Sequence, residues 1–160
     1  MSVAAGTLSE LVRAAAERSP DTTAFLSGTT SVTWREVDAQ VDAAAVALTG
    51  LGLVPGDRVA ISLANVLDFP VAYFGVLRAG LVAVPLNPGY TAQELRFTLS
   101  DSGARAVVVS SAGRDLLLQV AGEVPSLEHV LVTGPAGAAT SWHELLASAA
   151  GQPATTAGAG

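Results

Sequence analysis

The sequence contains no cysteine and no lysine. Without cysteine there can be no disulfide bonds, no thiolate catalysis and no cysteine-ligated zinc. All eight basic residues are arginines, so a Schiff-base lysine is excluded, as is the lysine with which a P-loop contacts the terminal phosphates. Chemistry that needs either side chain has no support within these 160 residues.

Charged residues are also scarce, at 14% of the chain against an ordinary proportion of about a quarter. The net charge of −6 disfavours nucleic acid and anionic membrane as partners. Half of the residues are hydrophobic, which is ample for a buried core. The length suits one domain or part of a larger one. Such a chain either buries much of itself or presents an apolar face to a partner.

No segment has the pattern of a targeting or membrane-spanning sequence. The N-terminus lacks a basic start followed by an apolar run, so no secretory signal is predicted. Residues 59–77 are mostly apolar and carry Asp68 as their only charged residue, but a carboxylate near the centre of a membrane span costs about 2.5–3.5 kcal/mol. A buried strand followed by a buried helix explains the same residues without that cost. We expect a soluble, cytoplasmic protein with no transmembrane segment.

Four short motifs predict the starts of helices. In each, a serine or threonine precedes a glutamate by three residues, the spacing of a capping box. These motifs begin at Thr7, Thr33, Thr91 and Ser141. Apolar residues at three- and four-residue steps follow the first two motifs, and helical patterns also fill residues 69–79, 92–100 and 114–120.

Four short runs rich in β-branched residues lie between the predicted helices, at residues 59–63, 81–84, 106–109 and 129–132. They do not alternate apolar and polar residues, which is typical of parallel strands covered on both faces. The alternation of strand and helix therefore predicts an α/β fold: an open, mostly parallel sheet with right-handed crossovers and helices on both faces. We place this lobe at residues 1–150 and expect residues 151–160 to form a flexible linker or tail.

The segment Ser27-Gly28-Thr29-Thr30 looks like a phosphate-binding loop, but neither a second glycine nor a lysine follows it. The residues on both sides favour strand, and Gly28 lies where a tight reversal needs positive φ. A β-hairpin near the N-terminus is therefore predicted instead.

Ligands of an open parallel sheet gather beyond the carboxyl ends of its strands. Here those positions hold Ala64-Asn65, residues 85–90, Ser110-Ser111 and Thr133-Gly134. No Gly-x-Gly-x-x-Gly follows a strand, so dinucleotide binding is not predicted. No aspartate ends a strand either, which disfavours a phospho-accepting receiver domain.

The remaining candidates for chemistry have simpler structural explanations. His129 and His143 lack converging ligands, and Asp101-Ser102 and Ser110-Ser111 lack a base partner for a triad. Tyr73 and Phe74 are explained by a buried helix more simply than by an acyl tunnel. We therefore assign no catalytic, cofactor-binding or metal-binding residue to this chain.

Five sequence blocks nevertheless share a recognisable pattern. They read VTWREV (32–37), LVPGDRVAI (53–61) with Asn65 beyond it, GVLRAGLVAVPLNP (75–88), YTAQEL (90–95) and LSDSGA (99–104). In order and spacing, over about residues 8–133, the chain resembles the first segments of adenylate-forming (AMP-binding) enzymes. The Asn-Pro and Asp-Ser-Gly are more similar to acyl-CoA synthetases than to peptide-synthetase adenylation modules. Trp34 in place of the usual tyrosine, and Pro70 early in a helix, depart from the family pattern.

The resemblance implies the first lobe of the N-terminal domain of such an enzyme. Family members join a carboxylic acid to ATP in the presence of Mg²⁺, release pyrophosphate and pass the acyl group from AMP to CoA. The parent would be an ATP-dependent acid–CoA ligase, with a fatty acid as the expected acid. The family's Gly-x-Pro-Lys phosphate loop and catalytic lysine would follow position 160. We therefore expect a truncated fragment that is inactive and binds no ATP, Mg²⁺ or CoA.

Two alternatives stay open at this stage. One is an adenylation domain that loads a carrier protein instead of CoA. The other is a non-catalytic α/β interaction module. The expected partners are a small carboxylic acid in the parent enzyme, the missing C-terminal portion of the same chain, and a second copy in a possible homodimer. The uncharged segments 81–90 and 129–141 suggest the apolar face for that dimer.

Overall fold

The computed structural model of this chain describes residues 5–64 and 67–151. The helices in this part of the chain are α1 (Ala5–Arg18), α2 (Trp34–Gly50), α3 (Asp68–Arg78), α4 (Ala92–Ser102), α5 (Arg114–Ala121) and α6 (Trp142–Ala149). The strands are β1 (Thr23–Ser27), β2 (Thr30–Thr33), β3 (Arg58–Ser62), β4 (Val82–Pro85), β5 (Ala106–Ser110), β6 (His129–Thr133) and β7 (Thr140–Ser141).

Five strands form one parallel sheet in the order β4-β3-β5-β6-β7. The registers place Val59 beside both Ala83 and Ala106, and Val108 beside Leu131. The predicted parallel α/β sheet is thus confirmed. The two-residue strand β7 was not predicted, because two residues are too short to carry a periodic pattern.

Helices cover both faces of this sheet. Val59 and Ile61 of β3 belong to a core formed with α2, α3 and α6, in which Trp142 is fully buried. Ala60, between them, belongs to the opposite core with α4 and α5. Successive residues of β3 therefore enter two different apolar layers, which is why the sequence shows no polar alternation.

The N-terminal hairpin is confirmed. Strands β1 and β2 pair antiparallel, and Gly28 between them has φ of 61°. Phe25 packs on Trp34 with ring centroids 5.9 Å apart. The Ser27–Thr30 segment is a turn with glycine at the left-handed position, as its flanking strand residues indicated.

Three of the four predicted helix caps are confirmed, and one is wrong. The side chains of Thr33, Thr91 and Ser141 each accept a hydrogen bond from the backbone N–H three residues later. Thr91 and Glu94 form the complete capping box. Thr7 is not a cap, because α1 already begins at Ala5. The motif at Thr7 did not mark the start, since the preceding residues are also compatible with helix.

The apolar segment at residues 59–77 forms β3 and most of α3, as expected. Pro70 lies in the first turn of α3, where a backbone N–H has no intrahelical acceptor, so the ring is tolerated. In the described part of the chain, none of the helices is both long and apolar enough to cross a bilayer. Of the linker or tail predicted at residues 151–160, all but residue 151 lies outside the described residues.

Candidate functional site

The carboxyl ends of β3 and β5 form the switch point of the sheet. These strands are neighbours, but α3 follows β3 on one face and α5 follows β5 on the other. A crevice opens where successive connections diverge in this way, and it is the usual ligand position in open α/β sheets. The edge formed by these strand ends is therefore the first place to look for a site.

Small polar residues occupy this edge. Ser62 at the end of β3 is buried, and Ser110 ends β5. A Cβ on Gly134, which has φ of 119°, would lie 3.3 Å from the Ser111 side chain, so the loops after β5 and β6 approach closely. The structure thus brings together Ser111 and Gly134, two of the residues that follow the strand ends in the sequence. Asn65, also assigned to this edge, lies outside the described residues.

Arg114 is the arginine that begins the helix following β5, but its guanidinium is already engaged. Its Nη1 donates to the carbonyl of Pro135 at 2.8 Å, and its Nε to Asp115 at 2.9 Å. Arg58 and Arg105 lie at the opposite edge, at or just before the starts of β3 and β5. Within the described residues, this edge therefore has little uncommitted positive charge with which to hold a triphosphate.

The loop after β4 satisfies its own polar groups. Asn87 Oδ1 accepts from the Gly89 N–H at 2.8 Å, and the Thr91 N–H donates to Glu94 Oε1 at 3.0 Å. The second bond holds the pKa of Glu94 below its usual range. A cleft of about 360 Å³ lies beside this loop, where Phe97 is 71% exposed. These contacts explain Asn87-Pro88 as part of a rigid connection from β4 into α4.

The two histidines lie on different elements. His129 begins β6, with Nε2 4.0 Å from Glu128 Oε2, and His143 Nε2 on α6 lies 3.5 Å from Asp68 Oδ1. Over residues 5–64 and 67–151 there is no group of three or more His, Asp or Glu side chains able to hold a metal ion. That the chain holds no metal stays a prediction.

The candidate residues on α3 and α4 pack within the lobe. Ser102 Oγ donates to the Leu99 carbonyl at 3.3 Å, and the Ser102 carbonyl accepts from Arg58 Nε at 2.6 Å. Tyr73 and Phe74 are partly buried and meet edge to face at 5.5 Å. These contacts give no geometry for a nucleophile and its base.

The LVPGDRVAI block is a turn held by its aspartate. Asp57 Oδ2 accepts from the Val54 N–H at 2.8 Å and from Arg105 Nη1 at 2.5 Å. The Val54 bond, followed by the Arg105 contact, holds the pKa of Asp57 below its usual range. Gly56 has φ of 93°, a conformation that favours glycine. The proline, glycine and aspartate of this block therefore shape the entry into β3.

Sequence reasoning missed a groove beside the N-terminal hairpin, which we call the hairpin groove. It has a volume of about 330 Å³ and lies between the β1–β2 hairpin, α2 and the start of α3. Its lining includes Phe25, Glu36, Val37, Asp68 and Val71. No local pattern could have revealed it, because these residues come from three separate segments.

Comparison with known proteins agrees with the fold and the blocks. A model of the AMP-binding enzyme family matches residues 12–157, so this chain belongs to that family. The long-chain-fatty-acid–CoA ligase of Salmonella typhimurium is 43% identical over 127 residues, which are 79% of this chain and 22% of that protein. The salicyl-AMP ligase / salicyl-S-ArCP synthetase of Mycobacterium tuberculosis is 38% identical over 165 residues, covering 96% of this chain and 29% of that protein.

A solved structure shows the same architecture. The benzoate CoA ligase from Burkholderia xenovorans superposes with a TM-score of 0.83 at 30% identity, over 100% of this chain and 31% of its own. The chain therefore spans 22–31% of the length of these three relatives. The family resemblance drawn from the five blocks is confirmed.

Proposed function

We propose that this chain is the N-terminal lobe of an ATP-dependent acid–CoA ligase. The whole protein would join a carboxylic acid to ATP with Mg²⁺, forming acyl-AMP and pyrophosphate. It would then transfer the acyl group to CoA and release AMP. The observation that carries this proposal is the AMP-binding family match over residues 12–157, supported by CoA ligases among the relatives.

Within that enzyme, we assign this lobe (residues 1–150) a scaffolding role, with residues 151–160 as the linker to the remainder. The residues present do not fit a nucleotide site: the chain has no lysine, and Arg114 at the switch point is engaged by Pro135 and Asp115. ATP, Mg²⁺ and CoA would be bound by the whole protein, which we place in the cytoplasm. The lobe alone would be inactive.

We propose a fatty acid as the acid, because the Salmonella relative of 43% identity is named as a long-chain-fatty-acid–CoA ligase. A second candidate is an aryl acid transferred to a carrier protein. It is supported by the Mycobacterium tuberculosis relative, whose similarity extends over 96% of this chain. A non-catalytic interaction module is the third candidate, but the three relatives described above are all named as ligases or synthetases.

The proposal for the lobe is tested by calorimetry of the 160-residue chain with Mg-ATP at millimolar concentration. We expect no binding heat, because the sequence has no glycine-rich loop with a lysine and the described part of the sheet's carboxyl edge has little uncommitted positive charge for the phosphates. Saturable binding would contradict the scaffolding role.

The activity is tested on the longer protein encoded by the same reading frame, if that frame reaches a Gly-x-Pro-Lys loop. Pyrophosphate release should depend on an added acid, and CoA should be consumed. Fatty acids and salicylate are compared as acids, and CoA and a carrier protein as acceptors. A frame that ends without the loop would instead favour the interaction module.

A further inference from the structure

The hairpin groove combines an apolar floor with acidic side chains. Val37 and Val71 are almost fully buried, at 1% and 4% exposure, and Phe25, which packs in the same cluster as Val37, also lines the groove. Glu36 and Asp68, which also line the groove, remain accessible to solvent. Its volume of about 330 Å³ falls at the lower end of the range of roughly 300–1,000 Å³ for small-molecule sites.

The hairpin packs mainly on α2, and this leaves a space between the hairpin and the start of α3. A small apolar cluster, which includes Val32 of β2 and Val37 and Val41 of α2, joins the hairpin to α2. An isolated two-stranded hairpin is only marginally stable in water, so this packing must hold it in position. The start of α3, with Leu67 and Asp68, forms the opposite wall. Three elements thus enclose the space, which suits a small molecule better than the flat surface of a protein.

The charge of the groove is negative. Glu36 Oε1 accepts a hydrogen bond from Thr33 Oγ1 at 3.2 Å, and Asp68 Oδ1 lies 3.5 Å from His143 Nε2. Among the residues that the structure describes as lining the groove, there is no arginine. The neighbouring Arg35 is paired with Asp21 at 3.2 Å. A ligand must therefore supply its own positive charge.

We propose that the hairpin groove binds a small organic cation, namely an ammonium group attached to a short aromatic or aliphatic hydrocarbon group. The apolar floor favours burial of the hydrocarbon group, and the carboxylates of Glu36 and Asp68 attract the ammonium group. The same carboxylates disfavour acids and phosphates, so this site is separate from the binding of the carboxylic acid and ATP in the whole enzyme.

A titration followed by ¹⁵N–¹H NMR tests the proposal on the 160-residue chain at low salt. Three probes of similar shape are compared: phenethylamine, the neutral 2-phenylethanol and the anionic 3-phenylpropionate. Phenethylamine should cause saturable shifts in the amides of residues 24–37 and 67–71. The alcohol should bind more weakly, and the acid should cause no shifts there. Raising the salt concentration should weaken only the amine, because salt screens the ionic contribution.

Two isosteric variants separate charge from shape. Glu36→Gln and Asp68→Asn should each weaken phenethylamine binding by up to about fivefold, the range of an accessible ion pair, and leave 2-phenylethanol unchanged. Glu123→Gln is the matched control, since that carboxylate pairs with Arg96 outside the groove. If one variant loses the dispersed spectrum of a folded chain, the other variant and the salt dependence decide. Equal binding of amine and acid, or unchanged amine affinity in the folded variants, would overturn the proposal.

Discussion

At the scale of single residues, Arg78 is a buried cation that joins three helices. Its Nη1 lies 2.9 Å from Asp42 Oδ1, and its Nη2 lies 2.9 Å from Asp38 Oδ1 and 2.8 Å from the Ser9 carbonyl of α1. Arg13 approaches Asp42 as well, at 2.6 Å. Two arginines and two aspartates thus balance in charge at the junction of α1, α2 and α3.

Replacing Arg78 should strongly destabilise the lobe. We expect Arg78→Met to lower the free energy of unfolding by about 3–5 kcal/mol, because Asp38 and Asp42 lose the buried half of their compensating charge. The matched control is Arg96→Met, which breaks the exposed pair with Glu123 and should cost about 0–1 kcal/mol. Urea unfolding measures both. Equal losses would show that burial of Arg78 does not determine its contribution.

Glu94 makes the stability of the lobe depend on pH. The Thr91 N–H favours the ionised carboxylate in the folded state, so the pKa of Glu94 is lower than its ordinary value of 4.5. A lowered folded-state pKa stabilises the fold above the unfolded pKa, and this contribution disappears as pH falls through the folded value. Glu94→Gln should therefore cost more stability at pH 6 than at pH 3. Urea unfolding at both values checks this, and an equal cost would contradict it.

At the scale of secondary-structure elements, the contact between α2 and α3 depends on a glycine. A Cβ on Gly75 of α3 would lie 2.5 Å from the Cβ of Ala44, which is fully buried on α2. Real side chains do not approach so closely, so the two helices can pack at this distance only while position 75 has no side chain.

Gly75→Ala should lower the free energy of unfolding by about 1–3 kcal/mol through overpacking. Gly50→Ala is the matched control: no atom lies within 4 Å of the new Cβ, and helix propensity predicts a gain of up to about 1 kcal/mol. Ala44→Gly in the Gly75→Ala background should recover part of the loss. Thermal unfolding of the parent, Gly75→Ala, Ala44→Gly and the double variant gives the coupling between the two positions. A Gly75→Ala variant as stable as the parent would exclude the close contact.

At the scale of the whole molecule, part of the low charge is explained by burial inside the lobe. Leu81 and Leu86 of the uncharged segment 81–90 are buried, as are Leu131 and Val132 of the segment 129–141. Among the large hydrophobic residues that the structure describes in these two segments, Val82 on the edge strand β4 is exposed, at 45%. An edge strand with an exposed valine is suited to pairing with another chain.

We therefore expect self-association of the chain through β4, most simply as a two-fold dimer. Val82→Lys should shift the population toward monomer, because a charge on an edge strand opposes pairing. Leu26→Lys, at an exposed leucine on the hairpin, is the control and should leave association unchanged. Light scattering behind a sizing column measures the mass. A single 16.0 kDa species at every concentration of the parent would exclude the dimer.

The sequence by itself determined the elements whose signals are local. Caps at Thr33, Thr91 and Ser141, the glycine reversal at Gly28 and the β-branched runs each depend on interactions within a few residues. Dependence on local signals also explains the error at Thr7: its residues fit the capping-box pattern, but they lie inside α1, which already includes Ala5. The five blocks indicated the family, because each spans a turn or a helix end of this fold.

Only the tertiary structure decided which distant residues meet. The strand order β4-β3-β5-β6-β7, the burial of Arg78 against Asp38 and Asp42, and the groove between the hairpin, α2 and α3 all join residues far apart in the chain. Hydrophobic periodicity shows that a face is buried, but it does not show which partner buries it. Pairing is decided by packing many side chains together at close contact, and that arrangement appears only when all the elements are in place.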